Sequence, residues 1–215
     1  MNKKISLAIL LSGNGSNLQA IIDNISTGKL KADIKIVISN NQDAFGLKRA
    51  SENGIKNLCV DNKKFDHRES YDRELIKILK QEKVDLIVLA GFMRILGSNF
   101  VKSFPNKIIN IHPSLLPKYP GLYTHRKVLE NKDEEHGVTV HFVDEGLDTG
   151  LIIGFMKLKV KDGENEKDLE EKIHKLEHYI YPKILSEFQE SKISIDNNVI
   201  KINNILFKNG KEYSN

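Results

Sequence analysis

The sequence predicts an α/β fold, one domain on a doubly wound, mostly parallel sheet whose first half is Rossmann-like. Three observations carry this expectation. Near-continuous apolar runs bounded by turn residues recur at Ile5–Leu11, Ile34–Ile38, Leu86–Ala90 and Lys107–Ile111, the texture of strands covered on both faces. Segments with a helical apolar period lie between them, and alternation of strand and helix implies parallel pairing through right-handed crossovers. With 215 residues and 40% hydrophobic content the chain can bury one sizeable core, and its length requires no second domain.

Taken in order, Ile5–Leu11 is short and breaks into Ser12-Gly13-Asn14-Gly15-Ser16 without a small-residue cleavage site. It therefore reads as a first strand and not as a secretory leader. Helices follow at Leu18–Ile25, at Ala44–Asn53 ending on Gly54, and at Arg68–Gln81, where Tyr71, Leu75, Ile78 and Leu79 form an apolar stripe. Four of the five prolines fall between Pro105 and Pro120, which excludes regular helix and central strand and leaves a long shaped loop. Beyond it, Thr124–Asn131 reads as a short helix and Val138–Val143 and Leu151–Val160 as strands. Glu166–Gln189 reads as a long helix with Leu169, Ile173, Leu176, Ile180 and Ile184 inward. Val199–Phe207 is expected to form a terminal hairpin around Asn203-Asn204.

Composition excludes several classes of function. The formal charge is +4, with basic residues spread among nearly as many acids, so no basic arm points to nucleic acid. No stretch approaches the roughly 20 apolar residues of a membrane helix. The single cysteine, Cys59, cannot form an internal disulfide, and its neighbours Leu58 and Val60 favour a small buried side chain. A cytoplasmic protein acting on small molecules is expected.

Two segments carry candidate chemistry. Ser12-Gly13-Asn14-Gly15-Ser16-Asn17 joins the first strand to the first helix, where glycines admit close backbone approach and helix-start amides hold an anion. A dinucleotide fingerprint would need a third glycine at Leu18 and an acid after the second strand, where Ser39-Asn40-Asn41 stands. A monophosphate is favoured; an ordinary turn capped by Ser16 or Asn17 is the competing reading.

The second segment, Asn110-Ile111-His112-Pro113-Ser114-Leu115-Leu116-Pro117, lies at the carboxyl end of a predicted central strand, where ligands of open α/β sheets sit. Strand alternation points Asn110 and His112 to one side. An amide donor and an imidazole together suit an oxyanion. A carboxylate beside His112 would raise its pKa and keep it protonated; Asp144, Glu145 and Asp148 are all available in the following loop. Metal readings are weak. His174 and His178 lack a third ligand, and His136 and His141 would face opposite sides of a strand. No metal is predicted.

Five stretches taken together resemble the phosphoribosylglycinamide formyltransferase family of purine synthesis. They are residues 12–17, Ala90-Gly91-Phe92-Met93-Arg94-Ile95-Leu96, Asn110 to Pro117, Glu135 to Val143, and Leu147-Asp148-Thr149-Gly150. The likeness runs from about Ile5 to near Pro182. The Asn110 to Pro117 stretch is shared with methionyl-tRNA formyltransferase and formyltetrahydrofolate deformylase; the Gly-Asn-Gly-Ser-Asn loop and the Phe-Met-Arg-Ile-Leu segment favour the glycinamide branch.

The resemblance implies a formyltransferase fold and transfer of a formyl group from 10-formyltetrahydrofolate to glycinamide ribonucleotide, in a monomer or homodimer without metal. It implies Asn110, His112 and Asp148 as the catalytic trio, with Gly15, Ser16, Asn17 and Glu177 at the substrate. Arg68, Met93, Arg94, Ile95 and Leu96 would border the folate, with Asn110, Val143 and the backbone of residues 143–148. On this basis residues 1–100 form a phosphate-binding half, 101–190 a catalytic and folate-binding half and 191–215 a tail. A cis Leu116–Pro117 bond is also implied. Tyr123 and Leu151 depart from the family pattern, where His and Pro are common. Two rival functions remain: formyl transfer to a different amine, such as a nucleotide-linked sugar, and a non-catalytic folate or nucleotide sensor.

Overall fold

Strand β1 (Ile5–Leu11) matches the first apolar run, and Leu7 to Leu11 are wholly buried, each leucine or isoleucine contributing roughly 1.5–3 kcal/mol of burial. The computed structural model describes residues 4–214; Met1 to Lys3 and Asn215 lie outside the described residues. The chain packs as two units, Met1–Asn110 and Ile111–Asn215.

In the first unit β1 is followed by α1 (Ser16–Ser26), β2 (Ala32–Ser39), α2 (Phe45–Glu52), β3 (Asn57–Cys59) and α3 (Arg68–Glu82). Then come β4 (Leu86–Leu89), α4 (Ser98–Ser103) and β5 (Ile108–His112), whose last two residues open the second unit. Parallel pairs β2–β3, β1–β2, β1–β4 and β4–β5 set the order β3-β2-β1-β4-β5. The sheet grows one way from β1 and then the other, so the strand order reverses between β1 and β4. The loops leaving their carboxyl ends therefore flank the crevice where such sheets bind ligands.

Two short elements here were not legible in the sequence. Strand β3 has three residues at the sheet edge, with Leu58 41% exposed. Cys59 is only half-buried, correcting the expectation of a buried side chain; partial burial and the nearby Asp61 hold its thiol up. Helix α4 is held by packing rather than propensity, with Phe100 and Phe104 buried and their rings 5.3 Å apart.

The second unit contains α5 (Thr124–Glu130), β6 (Glu135–Phe142) paired antiparallel with β7 (Ile152–Lys159), and α6 (Glu166–Gln189). The inward stripe of α6 is corrected at one place: Leu176 is half-exposed and Glu177 is buried beside Ile173 and Ile180. Strands β8 (Ile193–Asp196), β9 (Val199–Ile202) and β10 (Ile205–Phe207) form an antiparallel sheet. The expected hairpin turn is Asn203-Asn204, both with positive φ (51° and 67°), as a two-residue turn between twisted strands requires. Strand β11 (Lys211–Glu212) pairs parallel with β7, and Tyr213 donates to Glu187 Oε2 on α6 at 2.5 Å. Pairing is thus mostly parallel, as predicted.

Candidate active site

In the first unit the loop after β1 turns on Gly15, whose φ of 74° is left-handed. A Cβ there would lie 2.7 Å from the Cα of Gly46 on α2, so only glycine fits. Gly15 caps α1 without any side-chain hydrogen bond, which removes the reading of Ser16 or Asn17 as cap and leaves the helix start to its own amides. Arg49 on α2 braces the loop: Nε donates to the Asn14 carbonyl at 3.0 Å and Nη2 to Asn14 Oδ1 at 3.1 Å.

The loop after β4 carries Met93, Arg94, Ile95 and Leu96. Met93 and Ile95 are 69% and 62% exposed, whereas Leu96 is buried. The Arg94 guanidinium lies 5.5 Å from the centre of the Tyr71 ring on α3, close enough for a cation–π contact. Arg68, the first residue of α3, approaches the same loop, with Nε 3.5 Å from where a Gly97 Cβ would stand. The predicted folate-side residues of this unit therefore come together. Asn110, half-exposed, aligns with Leu89 across β4–β5.

In the second unit the chemistry gathers on Asp148. Its Oδ2 is 3.4 Å from His112 Nδ1 and accepts from the Gly121 amide at 2.9 Å; its Oδ1 is 3.5 Å from His141 Nε2. Both imidazoles are buried. His112 Nε2 donates to the Tyr119 carbonyl at 2.8 Å, and His141 Nδ1 to the Phe142 carbonyl at 2.7 Å. The loop acids are now told apart: Asp144 accepts from Gly146 N and Thr149 Oγ1 within its own turn, and Glu145 is exposed. The proline-rich loop is tied down by Thr139, whose Oγ1 donates to the Ser114 carbonyl at 2.7 Å and accepts from Leu116 N at 3.1 Å. The Leu116–Pro117 bond is cis. Val143 is half-buried at the start of the Asp148 loop, and Glu177 lies on the buried face of α6.

Electrostatics correct one expectation. Burial pushes His112 below its ordinary value, outweighing the raising influence of the Tyr119 carbonyl and of Asp148; a carboxylate neighbour alone does not keep this ring protonated. Burial works the other way on Asp148, yet the His141 hydrogen bond, the Gly121 amide and His112 hold its carboxyl below the usual value. Both directions favour, at neutral pH, an anionic Asp148 and a neutral His112. His141, weighed in the sequence only as a metal ligand, is a neighbour of Asp148 that reading missed; its signal is an imidazole at the end of a strand leading into the Asp148 loop. Among the described residues no group of three or more His, Cys, Asp or Glu can hold a metal ion, and no helix is long and apolar enough to cross a membrane.

Burial also lowers His125 and takes His136 down to about 4, the two rings touching at 2.9 Å between Nδ1 and Nε2. With His112, three histidines thus bind protons more weakly folded than unfolded. Their contribution to stability is complete above pH 6.5 and is lost as pH falls through the folded values. Thermal unfolding followed by circular dichroism should show Tm falling steadily from pH 6.5 to 4, His136 alone accounting for on the order of 3 kcal/mol. A Tm flat across that window would contradict it.

The formyl transferase family model matches residues 5–185. Phosphoribosylglycinamide formyltransferase of Escherichia coli (strain K12) is 49% identical over 194 residues, 90% of this chain and 92% of that protein. The trifunctional purine biosynthetic protein adenosine-3 of Drosophila melanogaster is 48% identical over 84% of this chain and 14% of its own length. The solved phosphoribosylglycinamide formyltransferase of Coxiella burnetii superposes with a TM-score of 0.95 at 41% identity, covering 99% of this chain and all of that one. With most of its length matched in sequence and backbone, this chain belongs to the formyl transferase family.

Proposed function

We propose that this protein transfers the formyl group of 10-formyltetrahydrofolate to the amine of phosphoribosylglycinamide, the formyl acceptor for which its relatives are named. The observation that carries the proposal is the half-buried Asp148 shared by the buried His112 and His141, with Asn110 two residues before His112 on strand β5. Gly15, Ser16 and Asn17 hold the substrate phosphate through the amides opening α1, with Glu177 as a further substrate contact. Arg68, Met93, Arg94, Ile95, Leu96 and Val143 serve the folate. The apolar, exposed Met93 and Ile95 beside two guanidinium groups suit a flat ring system carrying a carboxylate tail.

In the proposed chemistry the amine nitrogen bonds to the formyl carbon and the carbonyl electron pair moves onto oxygen. Asn110 donates a hydrogen bond to that oxygen. His112 takes up, through water, the proton leaving the amine. With both ring nitrogens protonated the ring faces two acceptors, the Tyr119 carbonyl at Nε2 and Asp148 at Nδ1. The surroundings thus satisfy the charged ring, while burial keeps it neutral until the developing oxyanion supplies a counter-charge. As the oxygen pair returns, the bond to the folate nitrogen breaks and His112 delivers the proton there. The amine is itself the nucleophile, so no covalent enzyme intermediate is needed.

A radiolabelled formyl donor offered to a panel of amines tests the reading. Label should pass to phosphoribosylglycinamide at least about 100-fold faster than to a nucleotide-linked amino sugar, the gap expected when phosphate and amine contacts are both needed. Equal transfer to the sugar, or folate binding without transfer, would favour the rival functions.

A further inference from the structure

We propose that Asp72 and Ser12 are positioning residues for the formyl donor, holding the segment Met93–Gly97 at its two ends. This rests on the reading of that segment as folate-binding. The segment has no regular structure, so its amides depend on side chains for acceptors. At one end the Met93 amide donates to Ser12 Oγ at 2.8 Å, and the Ser12 amide donates to the Gly91 carbonyl at 3.0 Å. The Ser12 hydroxyl donates to Asn40 Oδ1 at 2.5 Å, and Asn40 Nδ2 in turn donates to Asn62 Oδ1 at 3.1 Å. At the other end the Gly97 amide donates to Asp72 Oδ2 at 2.8 Å.

Asp72 is only 3% exposed, and its Oδ1 is buried without a hydrogen bond among the described residues. Burial raises its pKa, against the Gly97 amide and Arg68. A carboxylate so placed weakens a core that an apolar side chain would fill at lower cost. What it gains is geometry: it stands four residues after Arg68 on α3, next to the Tyr71 ring that carries Arg94, and 2.7 Å from where a Gly97 Cβ would lie. A side chain at position 97 would collide with this carboxylate, so glycine lets it reach the amide. One buried group thus relates the loop backbone to both guanidinium groups assigned to the folate.

The test is calorimetric titration of wild type, Asp72→Ala, Asp72→Asn and Ser12→Ala with tetrahydrofolate and, separately, with phosphoribosylglycinamide. Asp72→Ala should weaken tetrahydrofolate at least about tenfold and leave the glycinamide within about twofold, since only the folate segment loses its tether. Asp72→Asn keeps an oxygen for the Gly97 amide and should stay within about threefold of wild type. Ser12→Ala, which leaves little cavity and serves if Asp72→Ala fails to fold, should weaken tetrahydrofolate at least about threefold. Unchanged folate affinity in Asp72→Ala and Ser12→Ala, equal weakening of both ligands, or no rescue by Asp72→Asn would overturn the proposal. Failure of the wild type to bind tetrahydrofolate would instead overturn the functional reading beneath it.

Discussion

Replacing His112 by alanine is expected to lower kcat for formyl transfer by on the order of 10²–10³, with little change in the KM of either substrate. The magnitude follows from the role: positioned proton transfer contributes typically 10²–10⁴, and one lost group stabilising an oxyanion costs about 10²–10³. The KM should hold because His112 is engaged at rest by the protein itself, Nε2 donating to the Tyr119 carbonyl, and changes its charge only as the reaction proceeds. Steady-state kinetics with 10-formyltetrahydrofolate and phosphoribosylglycinamide checks it. A kcat within threefold of wild type would remove His112 from the chemistry.

Asp148→Asn should cost at least about 10² in kcat, by a different route. The amide keeps an oxygen for the Gly121 N–H, so the loop can keep its shape; what disappears is the charge that pairs with the imidazolium. An analogous Asp-to-Asn change behind a protease histidine costs about 10⁴ while the geometry stays intact. Because Asp148 acts through His112, the double variant should be scarcely worse than His112→Ala alone, as expected of residues working as one unit. Losses that multiply would mean that Asp148 has an independent role. His141, on the other side of the carboxylate, provides the second reason for the charge to persist in a buried setting.

Much of this was legible in the sequence because the signals were local. The run Ile5–Leu11 and the helix Glu166–Gln189 carry long, regular patterns, and both appear with those bounds. Asn203-Asn204 advertises positive φ through its own chemistry. Elements that lean on distant partners did not show. Strand β3 exists by pairing with β2, β8 by pairing with β9 and β11 by pairing with β7, and two to four residues carry no usable period of their own.

The site divides in the same manner. Alternation along one strand assigned Asn110 and His112 to a common side, and both lie on strand β5. Which of three loop acids meets the histidine could be decided only by the turn in which Asp144 satisfies itself. The sign of the His112 shift was misread because neighbours are visible in a sequence and the depth of burial is not. Glu177 makes the same point: helical period assigned the inward place to Leu176, and the fold gave it to the acid.

The account turns on a ring that is neutral at rest and charged only in company. Nuclear magnetic resonance titration of the His112 imidazole, assigned with the His112→Asn variant, measures that directly. In the free protein its midpoint should lie below 6.5, and lower again in Asp148→Asn, where the raising influence of the carboxylate is gone. A midpoint at 7 or above, or one that ignores Asp148→Asn, would contradict it.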